Sequence, residues 1–255
     1  DQIWNVYCND FNYAYFLPFV KSGKRIAYAP SMGAQLSIKT YKDRKKVIDL
    51  LNQYDAISVR EAVGARYIGE ITKMPTASVL DPTLLLNPQE YDNLIDDKPL
   101  IKGEYVFIYS PNFTEKVNEM AEALGDKYNK QVVISQGLIS KNAMLKWGRK
   151  FNIYTATGPK EFLNLCKNAS IICCDSFHAV AFSILFKKCF FVLDGMKDNR
   201  ISNLLQITHL QNRNFSSPNE YFNAPLQMDF TQPLGALEIE RRKSLEWLKE
   251  HLDVC

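Results

Sequence analysis

Of three histidines in the chain, His178 has the setting in which a histidine can do chemistry. It follows the apolar run Ile171-Ile172-Cys173-Cys174 and the polar pair Asp175-Ser176, and it precedes residues 179–186, which have helical composition. That order reads as a buried strand, a tight turn and a helix, because Asp and Ser favour helix N-caps. In an open α/β sheet such a turn lies at the carboxyl end of a strand, where ligands bind. The first helical N–H groups there carry partial positive charge. Phe177 and His178 are therefore expected to sit in the first helical turn and face that crevice. An imidazole, whose ordinary pKa is roughly 6.5, can give a proton, take one or hold an anion near neutrality. His209 and His251 lack that setting and read as structural.

A second group of reactive residue types follows Ala56-Ile57-Ser58-Val59, a short strand. Arg60 ends it, where a charge is costly unless it reaches solvent or a partner. Two readings stay open. Arg60 pairs structurally with Glu61 or Asp81, or its fork takes a carboxylate or phosphate while Glu61 holds it in place. Asp81 before Pro82 equally suits the fixing of a turn. Ser31 and Gly33 belong to Pro30-Ser31-Met32-Gly33-Ala34, a small-residue turn that lets backbone N–H groups approach a ligand closely. Arg200 heads a helix after a strand, as a phosphate clamp would, and Lys187 and Lys188 are further cations near the central turn. Each of these alone also fits a surface charge. The chain holds no G-x-G-x-x-G, Walker, H-E-x-x-H or zinc-ligand pattern, so dinucleotide, nucleoside-triphosphate and metal-hydrolase functions lose support.

The elements that position these residues alternate. Strands are expected at 25–29, 56–59, 77–80, 105–109, 131–135, 152–154, 171–174 and 189–193. Helices are expected at 11–20, 41–54, 62–69, 114–124, 159–167, 179–186 and 201–206, and an amphipathic one at 236–252 carries Leu237, Arg241, Ser244, Leu245, Leu248 and Leu252 near one stripe. Residues 87–99, acidic and proline-bearing, read as a linker, and residues 212–225 as a polar loop. Two consecutive βα series predict an α/β protein of two Rossmann-like domains facing a cleft. The expected domains are 1–97, with its first part preceding this chain, 98–235, and a terminal helix over 236–255 that packs back on the first. The opening Asp1-Gln2-Ile3-Trp4-Asn5 begins in mid-motif without Met, which is the ground for expecting a preceding segment.

Composition narrows the partners. A formal charge of +3 with scattered Lys and Arg gives no footprint for nucleic acid. No apolar run approaches the ~20 residues of a membrane span. Six cysteines occur without a C-x-x-C pair, which points to reduced thiols in a cytoplasmic protein. The basic face of Lys42, Arg44, Lys45 and Lys46 reads first as solvated, and as a peripheral contact with an anionic membrane second.

Ser58-Val59-Arg60-Glu61, Asp81-Pro82-Thr83 and Asp175-Ser176-Phe177-His178-Ala179 occur in this order, together with Tyr28-Ala29-Pro30-Ser31-Met32-Gly33 and Gly158-Pro159-Lys160-Glu161-Phe162. With that ordered set the sequence resembles the polysaccharide pyruvyl transferase family over nearly its whole length. The resemblance implies a GT-B-like fold and transfer of pyruvate from phosphoenolpyruvate to two hydroxyls of a sugar, as a cyclic ketal. The acceptor would belong to a surface polysaccharide or its lipid-linked precursor, and no cofactor beyond the donor substrate is expected. By resemblance Arg60 and His178 engage phosphoenolpyruvate, and Arg200 falls where relatives carry a cation. Many relatives have Arg-Leu-His at the central turn, where this chain has Ser176-Phe177-His178 and so one cation fewer. The expected catalytic set is His178, Arg60, Glu61 and Asp175; the expected substrate contacts are Ser31, Gly33, Ser176, Phe177, Lys187 and Arg200. Two other functions suit the same architecture: a glycosyltransferase using a sugar nucleotide, and a non-catalytic glycan-binding relative.

Overall fold

Apolar runs of a few residues bounded by turn residues are too short for core helices, and here they pair edge to edge in two parallel sheets. The computed structural model describes residues 2–8, 11–95, 98–156 and 158–252. In chain order its elements are β1 (Ile26–Ala27), α1 (Arg44–Leu51), β2 (Ala56–Val59), α2 (Ala62–Thr72), β3 (Thr76–Ser78), β4 (Tyr105–Tyr109), α3 (Glu115–Tyr128), β5 (Gln131–Ser135), α4 (Lys141–Trp147) and β6 (Asn152–Tyr154). There follow α5 (Pro159–Asn168), β7 (Ile171–Cys174), α6 (Phe177–Leu185), β8 (Cys189–Leu193), α7 (Asn199–Ile207), β9 (Asn214–Phe215), α8 (Pro218–Phe222) and α9 (Thr231–Leu252).

The chain divides into two compact units, residues 1–85, 197–203 and 236–255 in the first, and 86–196 and 204–235 in the second. The boundary expected at residue 97 lies outside the described residues. In the first unit β1, β2 and β3 form a parallel sheet in that order, with Ala27 opposite Ile57 and Ser58 opposite Ala77. Its core gathers Trp4, Phe16, Ile38, Leu51, Ile57 and Ile68. The exposed basic side chains of α1 include Lys46, whose ammonium stands 3.7 Å from the Tyr13 ring centroid.

The second unit holds a six-stranded parallel sheet in the order β6-β5-β4-β7-β8-β9. Relative to β4 this is the order of a doubly wound sheet, and it reverses between β4 and β7, where the connections leaving the two strands diverge. β7 pairs through Ile172 with Phe107 on one side and Phe190 on the other, so it is apolar throughout and fully buried. Val106, Ile108, Leu124, Trp147, Cys173 and Phe191 form the core of this sheet and its helices.

Several elements differ from expectation. Residues 11–20 hold only a 3-10 turn, Tyr13–Phe16, since Leu17 enters the left-handed region (φ 54°) ahead of Pro18. The stretch read as a linker contains the 3-10 helix Pro88–Leu94, secured by an Asn87/Glu90 capping box and by Tyr91, which packs edge-on against Phe182 at 5.1 Å. α4, β9 and α8 lie in segments where no element was expected. α9 begins at Thr231 and buries Leu237, Arg241 and Ser244, whereas Leu245 and Leu252 are exposed. Within the first unit, Ser244 Oγ accepts the Leu80 N–H (2.9 Å) and Arg241 Nε donates to the Leu84 carbonyl (2.9 Å). These polar anchors narrow the apolar stripe. Among the described residues no helix is long and apolar enough to cross a membrane.

Candidate active site

In the second unit the chain leaves β7 at Asp175. Ser110 Oγ (3.0 Å) and Thr114 Oγ1 (2.6 Å) both donate to Asp175 Oδ2, so the carboxylate clasps the turn after β7 to the turn after β4, across the reversal of strand order. Its Oδ1 is buried and accepts no hydrogen bond from the described residues. Ser176 is the N-cap of α6, in extended conformation, but its side chain makes no capping bond. Phe177 and His178 form the first turn of α6, as expected, and their side chains part company. Phe177 is 5% exposed and belongs to the interior, its ring 5.3 Å from the imidazole and nearly perpendicular. His178 lines a cavity of about 660 Å³ with Tyr109 at the end of β4, Ser135 at the end of β5, and Gly158, Pro159 and Phe162 at the start of α5.

In the first unit β2 ends in a cluster of buried charges. Arg60 (3% exposed) makes the ion pair with Asp81 that its sequence setting leaves open, and its Nε lies 3.9 Å from Glu61 Oε1. Asp81 Oδ1 accepts from the Thr83 N–H (3.0 Å) and hydroxyl (2.7 Å), capping the 3-10 turn Pro82–Leu84. Burial pulls the Arg60 guanidinium below its ordinary range, opposed by the Asp81 and Glu61 carboxylates. Burial also pushes Glu61 up to about 7, against the hydrogen bond from Ser31 and the charges of Arg60 and Arg200. Ser31 Oγ donates to Glu61 Oε1 and accepts the Gly33 N–H (3.0 Å), while Glu61 Oε2 is buried without a hydrogen bond from the described residues. Gly33 has φ +92°, and a Cβ there would stand 2.5 Å from Asn5 Nδ2, so the turn requires glycine. Arg200, at the start of α7, is held by Asp198 through Nε (2.9 Å) and Nη2 (2.5 Å).

Asn203 was not singled out from sequence, and it locks this cluster. Its amide donates to the Arg60 carbonyl (3.1 Å) and accepts the Ala62 N–H (3.4 Å), bracing the backbone on both sides of Glu61. Its signal in the sequence is only its place one helical turn beyond Arg200. Tyr109 and Phe162 were also missed as wall residues; Tyr109 ends a strand and Phe162 starts a helix, and both positions point to a sheet's carboxyl edge.

The structure thus gathers Ser31, Gly33, Arg60, Glu61 and Arg200 in one unit, and Asp175, Ser176 and His178 in the other. Lys187 joins neither group. It sits in left-handed conformation (φ 55°) ahead of the amino end of β8, lining a different cavity with Cys189 and Phe230. Among the described residues no cluster of three or more His, Cys, Asp or Glu is placed to hold a metal ion.

Parallel sheets with helical crossovers define a mixed α/β protein, with a histidine in a cavity at strand carboxyl ends. A family model described as polysaccharide pyruvyl transferase matches residues 2–195, and the chain belongs to that family. Membership implies a transferase with a sugar or glycan acceptor. Among solved structures, UDP-N-acetylglucosamine 2-epimerase from Rickettsia bellii is similar in fold, with a TM-score of 0.53 at 13% identity over 90% of this chain and 68% of that one. The wall teichoic acid polymerase TagF matches with a TM-score of 0.46 at 14% identity, over 81% of this chain and 58% of that one. No protein of curated function matches the sequence.

Proposed function

We propose that the protein transfers the pyruvyl group of phosphoenolpyruvate to two hydroxyls of one sugar and closes a cyclic ketal. The observation that carries this reading is the place of His178, in the first turn of α6 on the wall of a cavity at the carboxyl ends of β4 and β5, in a chain of this family. The reaction needs a proton donor and a base. The first hydroxyl oxygen bonds to the enol carbon while the methylene carbon takes a proton and becomes a methyl group. The second hydroxyl then bonds to the same carbon, the bond from carbon to the phosphate oxygen breaks, and phosphate leaves with the electron pair. Of the two hydroxyl protons, one restores the acid and the other leaves with phosphate or to solvent.

His178 is the donor of the methyl proton in this reading. Asp175, in the turn just before His178, takes the proton of an attacking hydroxyl. In the first unit, Arg200 and the backbone N–H groups of the Ser31–Gly33 turn suit an anionic group such as the donor's carboxylate or phosphate. Arg60 and Glu61, buried, fix the turn that carries Ser31 and set its local field. Lys187 and Phe177 receive no role, given where their side chains lie.

Calorimetry with phosphoenolpyruvate, joined to phosphate release in the presence of candidate glycans, tests the reading. Saturable heat that weakens in Arg200→Ala is expected, together with a His178→Ala variant that binds phosphoenolpyruvate but releases no phosphate. Heat from a sugar nucleotide and none from phosphoenolpyruvate would replace the reading with glycosyl transfer.

A further inference from the structure

The cavity beside His178 is larger and less charged than phosphoenolpyruvate requires. At about 660 Å³ it falls within the roughly 300–1,000 Å³ of sites that enclose drug-sized ligands. Among its described lining residues none is Lys, Arg, Asp or Glu. A carboxylate instead stands at its rim, for a Cβ on Gly158 would lie 2.5 Å from Glu161 Oε2. A phosphate or carboxylate placed here would meet a negative group and no Lys or Arg side chain of the described lining.

The wall is aromatic. The ring centroids of Tyr109 and Phe162 are 4.5 Å apart, and Phe182 backs Phe162 at 5.8 Å. Tyr109 and Phe162 are both half-buried, so each presents part of its surface, while Phe182 at 5% exposure fixes the ring behind them. Besides the His178 imidazole, the polar groups are few: the Tyr109 and Ser135 hydroxyls and the main chain at Gly158. Flat apolar faces with a small set of neutral hydrogen-bonding groups suit a ring whose one face is C–H and whose edge is hydroxyl. A nucleotide would bring the same flat shape with phosphates that the described lining does not balance.

We propose that this cavity is the ring subsite for the acceptor, taking a neutral pyranose with its C–H face on Phe162 and Tyr109. This rests on the transferase reading and places the acceptor hydroxyls in the cavity that His178 lines.

Saturation-transfer NMR on the full chain tests it, with methyl β-D-galactopyranoside, methyl β-D-glucopyranoside and methyl N-acetyl-β-D-mannosaminide as probes, uridine as competitor, and phosphoenolpyruvate in a separate arm. Irradiation of aromatic protein protons is expected to transfer to the C–H protons of one ring face of at least one glycoside. Phe162→Leu should weaken that glycoside roughly 5- to 10-fold, Phe162→Tyr should retain it, and phosphoenolpyruvate binding should be unchanged in both. No transfer to any glycoside at tens of millimolar, transfer that Phe162→Leu leaves intact, or uridine binding alone would overturn the ring subsite. Glycoside binding that depends on Phe162, in a protein that ignores phosphoenolpyruvate, upholds the subsite and removes the donor assignment instead.

Discussion

Glu61 offers the most direct test of the electrostatics in the first unit. Burial raises its carboxyl from an ordinary 4.5 to about 7, and at about 1.4 kcal/mol per pH unit that interval corresponds to about 3 kcal/mol. Because the folded-state value is the higher one, the folded chain keeps a proton that the unfolded chain has already released between these limits. The resulting stability is fully present below pH 4.5, falls as pH rises, and is lost above about 7. Glu61→Gln removes the titration while keeping an oxygen to accept from Ser31. The variant's constant offset, including a buried amide that finds no acceptor, cancels when the two proteins are compared across pH. Variant minus parent stability is therefore expected to rise by about 3 kcal/mol between pH 4.5 and pH 8. Urea unfolding at several pH values measures it. A Trp147→Phe background leaves Trp4 and Trp247 as the indoles, so that fluorescence follows the unit that holds Glu61. A difference constant to within about 0.5 kcal/mol, or one that shrinks with pH, would refute the account of Glu61 as a carboxyl destabilised by burial.

Three further expectations follow from the same contacts. Arg60→Ala removes the guanidinium paired with the buried Asp81 and should cost about 3–5 kcal/mol in urea unfolding, far more than an exposed pair would. Asn203→Ala removes both bonds that brace the 60–62 backbone and should cost about 1–3 kcal/mol by the same measurement, with weaker phosphoenolpyruvate heat because Glu61, the partner of Ser31, loses its braced backbone. Cys166, Cys173 and Cys174 are buried free thiols whose pKa values are pushed up by burial, so a thiol reagent at pH 8 should leave all three unmodified until the chain is unfolded, as peptide mapping would show.

The strands were legible because each is a short apolar run closed by a residue that cannot continue it. β7 closes at Asp175 and β2 at Arg60, and those same residues begin the two clusters. The α4 helix was not legible from Lys141-Asn142-Ala143-Met144, since its two buried side chains, Ala143 and Trp147, give too thin a stripe to show a period. The Pro88–Leu94 turn was hidden for a similar reason: one aromatic, Tyr91, anchors a segment that is otherwise polar. At the site, residue type identified Arg60 and His178, but only tertiary structure could decide what each meets. Asp81 is 21 positions from Arg60 and Asn203 is 143, separations at which no local pattern survives. Lys187 shows the converse error. Proximity in sequence to His178 suggested proximity in space, yet one helix of nine residues carries the chain from the carboxyl end of β7 to the amino end of β8.

On the proposed reading the two substrates differ sharply in charge, and the two units differ in the same way. Phosphoenolpyruvate is a polyanion, and the first unit concentrates Arg60 and Arg200 near the turn of Ser31 and Gly33. Those guanidiniums are themselves held by Asp81 and Asp198, so each cation is fixed in direction and partly neutralised, which favours exchange of an anion over its permanent capture. A neutral sugar needs the opposite surface, rings and hydroxyls without counter-ions, and the cavity of Tyr109 and Phe162 has that character. Ser176 at the N-cap of α6 fits this division. A guanidinium at the N-cap of α6 would draw anions toward the turn that carries His178, whereas a serine adds no charge there.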